Sequence, residues 1–131
     1  MVDSIDQLGT SAMLARAYSE DQSGFLTLIA GMLEGVMPED TVVERKPLHL
    51  FSSRKRVTRV KVTVGDFVYE MHTGSHEGSL VARRTKIVRG IELKTESLSP
   101  DVWMKELAGL LTEQARRSEQ SFYALKSFLQ M

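Results

Sequence analysis

The chain has 131 residues, of which 42% are hydrophobic and 26% are charged, with 17 basic residues, 17 acidic residues and no cysteine. A chain of this length and composition buries enough apolar surface to fold without a disulfide or a metal. The lack of cysteine excludes a thiol nucleophile, a disulfide scaffold and a zinc site with thiolate ligands. We therefore expect a single domain over residues 1–131, with residues 1–10 flexible.

Two features of the first third of the chain concern its localisation. Residues 1–9 contain two aspartates and no basic side chain, which does not fit the basic start of a signal peptide. The longest apolar stretch, residues 25–37, has 13 residues and includes Glu34. A membrane-spanning helix needs about 20 apolar residues. We expect a soluble cytoplasmic protein without a transmembrane segment.

The net charge of zero conceals a segregation of charge along the chain. Residues 1–40 contain one basic and seven acidic residues, a charge of −6, whereas residues 41–97 contain twelve basic and six acidic residues, a charge of +6. A basic central segment can provide a surface for an anionic partner. The acidic first segment can equally neutralise it within one fold. The composition leaves both interpretations open.

The first segment has the periodicity of a helix. Ser19 and Gln22 fit a capping box, and Pro38 ends the helix because proline lacks an amide proton and disfavours helical geometry in the residue before it. The apolar residues between them follow one helical face: Phe25, Leu28, Ile29, Met32, Leu33 and Val36. We predict a helix from Ser19 to Met37 and a shorter helical turn over residues 11–18.

Three glycines lie within this predicted helix. Gly24, Gly31 and Gly35 each cost about 1 kcal/mol relative to alanine in a helix interior, so packing should compensate for them. Gly31 and Gly35 are one turn apart and form a smooth strip that another backbone can approach closely. The candidates for this contact are the sheet of the same chain, which we favour, and a second subunit.

The central segment has an apolar period of two, which indicates β-strands. The clearest alternation runs on both sides of Gly65-Asp66, a loop that suits a type II′ hairpin turn. With this turn, Lys61 is predicted opposite Glu70, and Val62 opposite Tyr69. The other predicted features are strands at Val42–Lys46 and Leu80–Val88, a bend at Arg89-Gly90 and a strand at Ile91–Glu96.

The last third of the chain returns to a helical pattern. Ser99-Pro100-Asp101 is typical of a helix start, with an N-cap serine and a proline at the first helical position. A continuous helix from Pro100 to Gln130 would be about 45 Å long, which exceeds the width of a small sheet. Its far end should therefore contact a second copy of the chain. The predicted self-association residues are Phe122, Leu125, Phe128 and Leu129.

Together these elements predict an α+β fold in the order α-β-β-β-β-α. An antiparallel meander of four to five strands carries an N-terminal helix and a long C-terminal helix on one face. The predicted core consists of Leu28, Ile29, Met32, Val60, Val62, Val64, Phe67, Tyr69, Trp103, Leu107 and Leu111.

The residues that could carry chemistry do not form a catalytic pattern. His72, His76 and Glu77 flank a glycine-containing loop without a third nitrogen ligand nearby, and we expect solvated side chains there rather than a metal site. The sequence contains no glycine-rich nucleotide-binding motif and no serine in a nucleophile elbow. We therefore predict a non-enzymatic protein with no metal and no cofactor.

Residues 46–56 connect two predicted strands and combine basic with apolar side chains. Either Leu50 and Phe51 fold back to cap the core, or the segment protrudes and contacts an anionic surface. That surface could be nucleic-acid phosphate, an acidic protein face or lipid headgroups. The predicted binding residues are Lys46, Leu48, Leu50, Phe51, Arg54, Lys55, Arg56 and, in the next strand, Arg59.

The order of elements over most of the chain resembles the small nucleoid-associated proteins that bind DNA as homodimers. The second half also resembles the two-layer homodimers of the type III secretion chaperone class. We expect an interaction module, an adaptor or a chaperone-like homodimer, that binds a partner protein through its sheet or through residues 46–56. A nucleic-acid-binding module is the alternative, although dedicated DNA-binding domains typically have a pI above 9, against 6.8 here.

Overall fold

The computed structural model describes residues 7–20, 22–47, 50–51, 53–75 and 79–129. None of the helices in these ranges is long and apolar enough to cross a membrane. In chain order the elements are α1 (Gln7–Glu20), α2 (Gln22–Val36), β1 (Thr41–Pro47), β2 (Lys55–Val64), β3 (Phe67–Thr73), β4 (Leu80–Val88), β5 (Ile91–Leu98), α3 (Pro100–Arg117) and α4 (Glu119–Leu129).

The five strands form one antiparallel sheet in the order β1-β2-β3-β4-β5, so each strand pairs with its neighbours in sequence. The predicted register of the central hairpin is confirmed, with Lys61 opposite Glu70 and Val62 opposite Tyr69. This alternation places one set of side chains towards the helices and the other set on an open face of the sheet.

Two tight turns fix the register of neighbouring strands. Gly65 has a φ of +59° and Asp66 does not have a positive φ, as a type II′ turn requires. At the predicted bend, Arg89 and Gly90 have φ values of +53° and +80°, which fit a type I′ turn. Arginine rarely adopts this left-handed conformation, so the β4–β5 turn carries backbone strain at Arg89.

The helices cover one face of the sheet, which confirms the predicted α+β architecture. Helix α2 packs on β1 and β2, α3 packs on β4 and β5, α1 packs mainly against α3, and α4 contacts both α2 and α3. Of the predicted core, the buried residues are Ile29, Met32, Val60, Val62, Tyr69, Trp103, Leu107 and Leu111. Leu28, Val64 and Phe67 are only half-buried.

The start of the chain departs from the predicted pattern. Helix α1 spans Gln7–Glu20, so Ser19 lies inside a helix and does not cap one. Thr10 and Leu14 are one turn apart and both fully buried. Packing of this face holds α1 against the rest of the fold, and the helix begins at Gln7, earlier than the helical turn predicted over residues 11–18. Residues 1–6 lie outside the described part of the chain.

The predicted 45 Å helix is also wrong, because the chain breaks at Ser118. Ser118 has extended backbone angles, φ −137° and ψ 122°, and its N–H donates to the Gln114 carbonyl. Its hydroxyl accepts a hydrogen bond from the Ser121 N–H at 3.2 Å. One serine therefore ends α3 and caps α4.

Helix α4 folds back against α2 of the same chain. Leu125 is completely buried, whereas Phe122, Phe128 and Leu129 are partly buried against the core. The Phe128 ring fills the strip beside Gly31 and Gly35, where an added Cβ would lie 3.5 to 3.6 Å from it. This packing removes the reason for expecting a second copy at these residues. The predicted glycine strip exists, but α4 occupies it instead of the sheet.

Candidate binding surface on the β1–β2 hairpin

The loop between β1 and β2 exposes two large apolar side chains. Leu50 is 85% exposed and Phe51 is 92% exposed. The interpretation in which they cap the core is therefore wrong. Leu48 lies outside the described residues, as do His76 and Glu77 of the β3–β4 loop. An exposed phenylalanine costs solvation free energy unless a partner covers it.

A β-bulge separates this end of the hairpin from the rest of the sheet. Glu44 pairs with Arg59 and Arg45 pairs with Val57, so β2 has one extra residue, Thr58. The Thr58 hydroxyl donates to the Glu44 carbonyl at 3.3 Å. Bulges bend a strand and increase its twist. Beyond the bulge, the last residues of β1 and the first residues of β2 are exposed.

Three cations beyond the bulge, Lys46, Lys55 and Arg56, have no carboxylate partner among the described residues. Lys46 lies directly opposite Arg56 in the strand register, and Lys55 lies opposite Pro47. Among the described residues, no carboxylate lies within ion-pair distance of Lys46, Lys55 or Arg56. Like charges directly opposite each other destabilise a strand pair. This end of the hairpin therefore has positive charge that an anion would stabilise.

We call this region the basic hairpin surface: Lys46, Leu50, Phe51, Arg54, Lys55 and Arg56, all of them exposed.

Arg59, by contrast, lies within the ion-pair network of the sheet and does not belong to this surface. Its guanidinium lies 3.5 Å from Glu44 and 3.6 Å from Glu70. Arg45 is likewise paired, 2.6 Å from Glu34 of α2. The Arg45–Glu34 pair is one case in which an acidic residue of the segment 1–40 neutralises a basic residue of the segment 41–97. Arg45 lies at the bulge, before the end of the hairpin.

Basic side chains also lie on the open face of the sheet, from β2 to β4. Lys61 and Arg83 lie on either side of Glu70 in the strand register. Lys61 is 3.9 Å from that carboxylate, and Arg83 is exposed. Sequence reasoning missed Arg83, although its position follows from extending the predicted pairing by one more strand.

A second charged cluster, which was not predicted from the sequence, lies between the sheet and α3. Arg84 donates to Glu96 of β5 and to Glu106 of α3, each at 2.5 Å, and its guanidinium lies 5.5 Å from the centre of the Phe67 ring. The Tyr69 hydroxyl donates to the same Glu106 oxygen at 2.9 Å. Arg84 therefore joins two strands to a helix.

These contacts shift the acid–base properties of three groups in the cluster. Burial raises the pKa of the Tyr69 hydroxyl, and the hydrogen bond to Glu106 raises it further. Hydrogen bonds to Glu106 and then Glu96 raise the pKa of Arg84. Hydrogen bonds from Lys94 and then Arg84 lower the pKa of Glu96. Each shift favours the protonation state that these hydrogen bonds require: a neutral Tyr69, a charged Arg84 and an ionised Glu96.

Beside this cluster is an open depression of about 200 Å³, lined by Phe67, Arg84, Lys86, Lys94 and Glu96. Arg84 and Lys94 both pair with Glu96, and the Arg84 guanidinium lies over the Phe67 ring, so these four side chains contact one another. The depression therefore belongs to the contacts that join the sheet to α3, whereas the exposed apolar side chains lie at the basic hairpin surface.

In the described ranges, no three His, Asp or Glu residues group closely enough to hold a metal ion. His72 lies on β3, where its Nδ1 is 2.9 Å from the Thr73 carbonyl oxygen. Comparison with protein-family models, with curated proteins and with solved structures gives no match for this chain.

Proposed function

We propose that the protein is a non-enzymatic interaction module, and that its basic hairpin surface binds an acidic face of a partner protein. One observation carries the proposal: Phe51 and Leu50 are almost fully exposed in the loop that joins Lys46 and Arg56, two cations that lie opposite each other and have no carboxylate partner among the described residues. Burial of an aromatic anchor supplies affinity at the centre of an interface. Surrounding charges steer the partner and set its orientation.

A partner protein suits this surface better than a nucleic acid. Single-stranded nucleic acids are usually bound by several aromatic side chains that stack on successive bases. Here Phe67 and Tyr69 lie on the helix-covered side of the sheet, and Phe51 is the aromatic residue of the hairpin loop. Leu50 adds aliphatic surface, which fits an apolar pocket. Lys46, Lys55 and Arg56, which have no carboxylate partner among the described residues, make nucleic acid the second candidate, because phosphate contacts need no base recognition.

Site-specific photo-crosslinking in cells that express the chain tests the proposal. A photoreactive phenylalanine analogue is placed at Phe51 and, as a matched control, at Tyr123 of α4, which is 59% exposed. We expect a protein adduct from position 51 only. The adduct should disappear in the triple variant Lys46→Glu, Lys55→Glu, Arg56→Glu. Equal adducts from both positions would contradict the proposal, and a nuclease-sensitive adduct would reassign the surface to nucleic acid.

Fluorescence anisotropy with three labelled probes of equal length gives an independent test. The probes are a Glu/Leu peptide, a Glu/Ser peptide and a single-stranded oligonucleotide. We expect the Glu/Leu peptide to bind most tightly, because only this probe offers both charge and apolar contact. Tighter binding of the oligonucleotide, weakened about a thousandfold between about 50 and 200 mM salt, would favour nucleic acid instead.

A further inference from the structure

A depression of about 200 Å³ lies on the open face of the sheet. Its lining includes three aliphatic side chains from three strands, Val42 of β1, Val68 of β3 and Ile87 of β4. Val42 is 61% exposed, and the other two are half-buried. An apolar cavity of about 150 Å³ accommodates benzene, so this depression is large enough for one phenyl ring.

The rim of the depression is acidic. Asp40 and Glu92 are exposed there, and among the described residues no cation lies within ion-pair distance of either carboxylate. The lining also includes Lys61 and Glu70, which lie 3.9 Å apart and offset each other's charge. Two carboxylates without a counter-charge therefore lie beside an apolar floor.

The basic hairpin surface has the complementary chemistry. Phe51 is 92% exposed, and Lys46 and Arg56 on either side of its loop have no carboxylate partner among the described residues. An aromatic side chain seated in an apolar pocket, with opposite charges around it, is typical of the centre of a protein interface. Each of the two surfaces supplies what the other lacks.

The hairpin loop cannot reach the depression of its own chain. Val42 lies near the start of β1 and Pro47 at its end, five residues further along the strand. This separation is about 17 Å at about 3.4 Å per residue. Because β1 is paired with β2 along this length, the loop stays at the opposite end of the strands from the depression. A contact between the two surfaces therefore joins two copies of the chain.

We propose that the basic hairpin surface of one copy binds the open-face depression of a second copy of this chain. Phe51 enters the depression, and the cations of the hairpin face Asp40 and Glu92 of the partner subunit. The inference rests on the proposed function, because it names the acidic partner of the same surface. It places the self-association of the chain at the hairpin instead of the α4 residues, which pack within one chain.

Sedimentation of the intact chain tests the apolar anchor. One loop in one depression is a small interface, so the measurement should extend to about 100 µM protein. We expect the parent chain to associate, and Phe51→Ala to weaken the association about tenfold because it removes the anchor. Tyr123→Ala of α4 is the matched control, since Tyr123 is 59% exposed, and it should change nothing. A monomeric parent chain, or equal weakening by both variants, would overturn the inference.

Photo-crosslinking separates this failure from failure of the proposed function. If the parent chain is monomeric and the analogue at position 51 captures a different protein, the proposed function stands and the self-association is refuted.

A charge swap within one chain tests the ion pairs. Asp40→Lys with Glu92→Lys should weaken the association about tenfold or more, because like charges would then face each other. Adding the triple variant of the hairpin to these two changes should restore the association. The control combines the same triple variant with Glu113→Lys and Glu119→Lys, which are exposed on α3 and α4 and give the same net charge. Equal association of the two combined variants would overturn the inference.

Discussion

The basic hairpin surface and the Arg84 cluster show two uses of positive charge in one sheet. Arg84 lies between two carboxylates and against an aromatic ring, and all of these partners belong to the same chain. Arg56 lies opposite Lys46 and has no carboxylate partner among the described residues. The comparison shows that the charge of a segment does not indicate a binding surface by itself. What matters is whether the fold provides a counter-charge.

The largest expected difference between the two regions concerns their apolar residues. Leu107 of α3, which follows Glu106 of the Arg84 cluster in sequence, is completely buried, and Leu50 of the hairpin is 85% exposed. We expect Leu107→Ala to lower the free energy of unfolding by about 2 to 5 kcal/mol. Leu50→Ala should change it by less than about 0.5 kcal/mol. Urea denaturation of both variants checks this, and similar losses would mean that the hairpin loop packs on the body.

The next difference concerns the two arginines. Arg84→Met removes charged hydrogen bonds to Glu96 and Glu106, and we expect a loss of about 1 to 3 kcal/mol in the free energy of unfolding. Arg56→Met should be neutral or slightly stabilising, because it removes a repulsion from Lys46. Urea denaturation at low salt measures both. If Arg84→Met were neutral, the cluster would not join α3 to the sheet as described.

The pH dependence of stability should follow the Arg84 cluster. Because the pKa of Glu96 is lowered in the folded state, its contribution is complete above its ordinary value of 4.5 and is lost as the pH falls through the folded value. Because the pKa of Tyr69 is raised, its contribution is present below 10.0 and is lost as the pH rises through the folded value. We expect Glu96→Gln to flatten the acidic limb and Tyr69→Phe the alkaline limb of thermal stability measured against pH.

The smallest expected effect is a gain in stability at the hairpin. Arg56→Glu would place a carboxylate opposite Lys46, and we expect the free energy of unfolding to rise by about 0.2 to 1 kcal/mol. Arg59→Glu is the matched control, because it would face Glu44 and Glu70 and should lower stability. If Arg56→Glu destabilised the chain, Arg56 would have an internal role, and the basic hairpin surface would not be available to a partner.

The sheet could be predicted from the sequence because its determinants are local. An apolar period of two and the Gly65-Asp66 turn fix the β2–β3 register, and Lys61 and Glu70 pair as expected. The exposure of Leu50 and Phe51 could not be predicted, because apolar side chains in a loop can fold back or protrude, and the local sequence does not distinguish the two.

The helices were predicted less well because their boundaries depend on single caps. Ser19 resembles an N-cap yet lies within α1, whereas Ser118 is a cap inside an apparently continuous apolar stripe. A signal was present, since Ser118 is followed by Glu119, an acidic residue suited to the first turn of a helix. Arg84 was missed because Glu106, its partner on α3, is 22 residues away in sequence.

The position of α4 has a consequence for how the chain folds during synthesis. The Ser121 hydroxyl donates to the Val36 carbonyl at 2.6 Å, a contact that joins residues 85 positions apart. At ribosomal rates of about 5 to 20 residues per second, α2 is complete roughly 4 to 17 s before Ser121 is added. During that interval the apolar face of α2 beside Gly31 and Gly35 has no cover from α4. The helical layer can therefore close only late in translation, and the nascent α2 is a natural target for chaperones that bind exposed apolar segments.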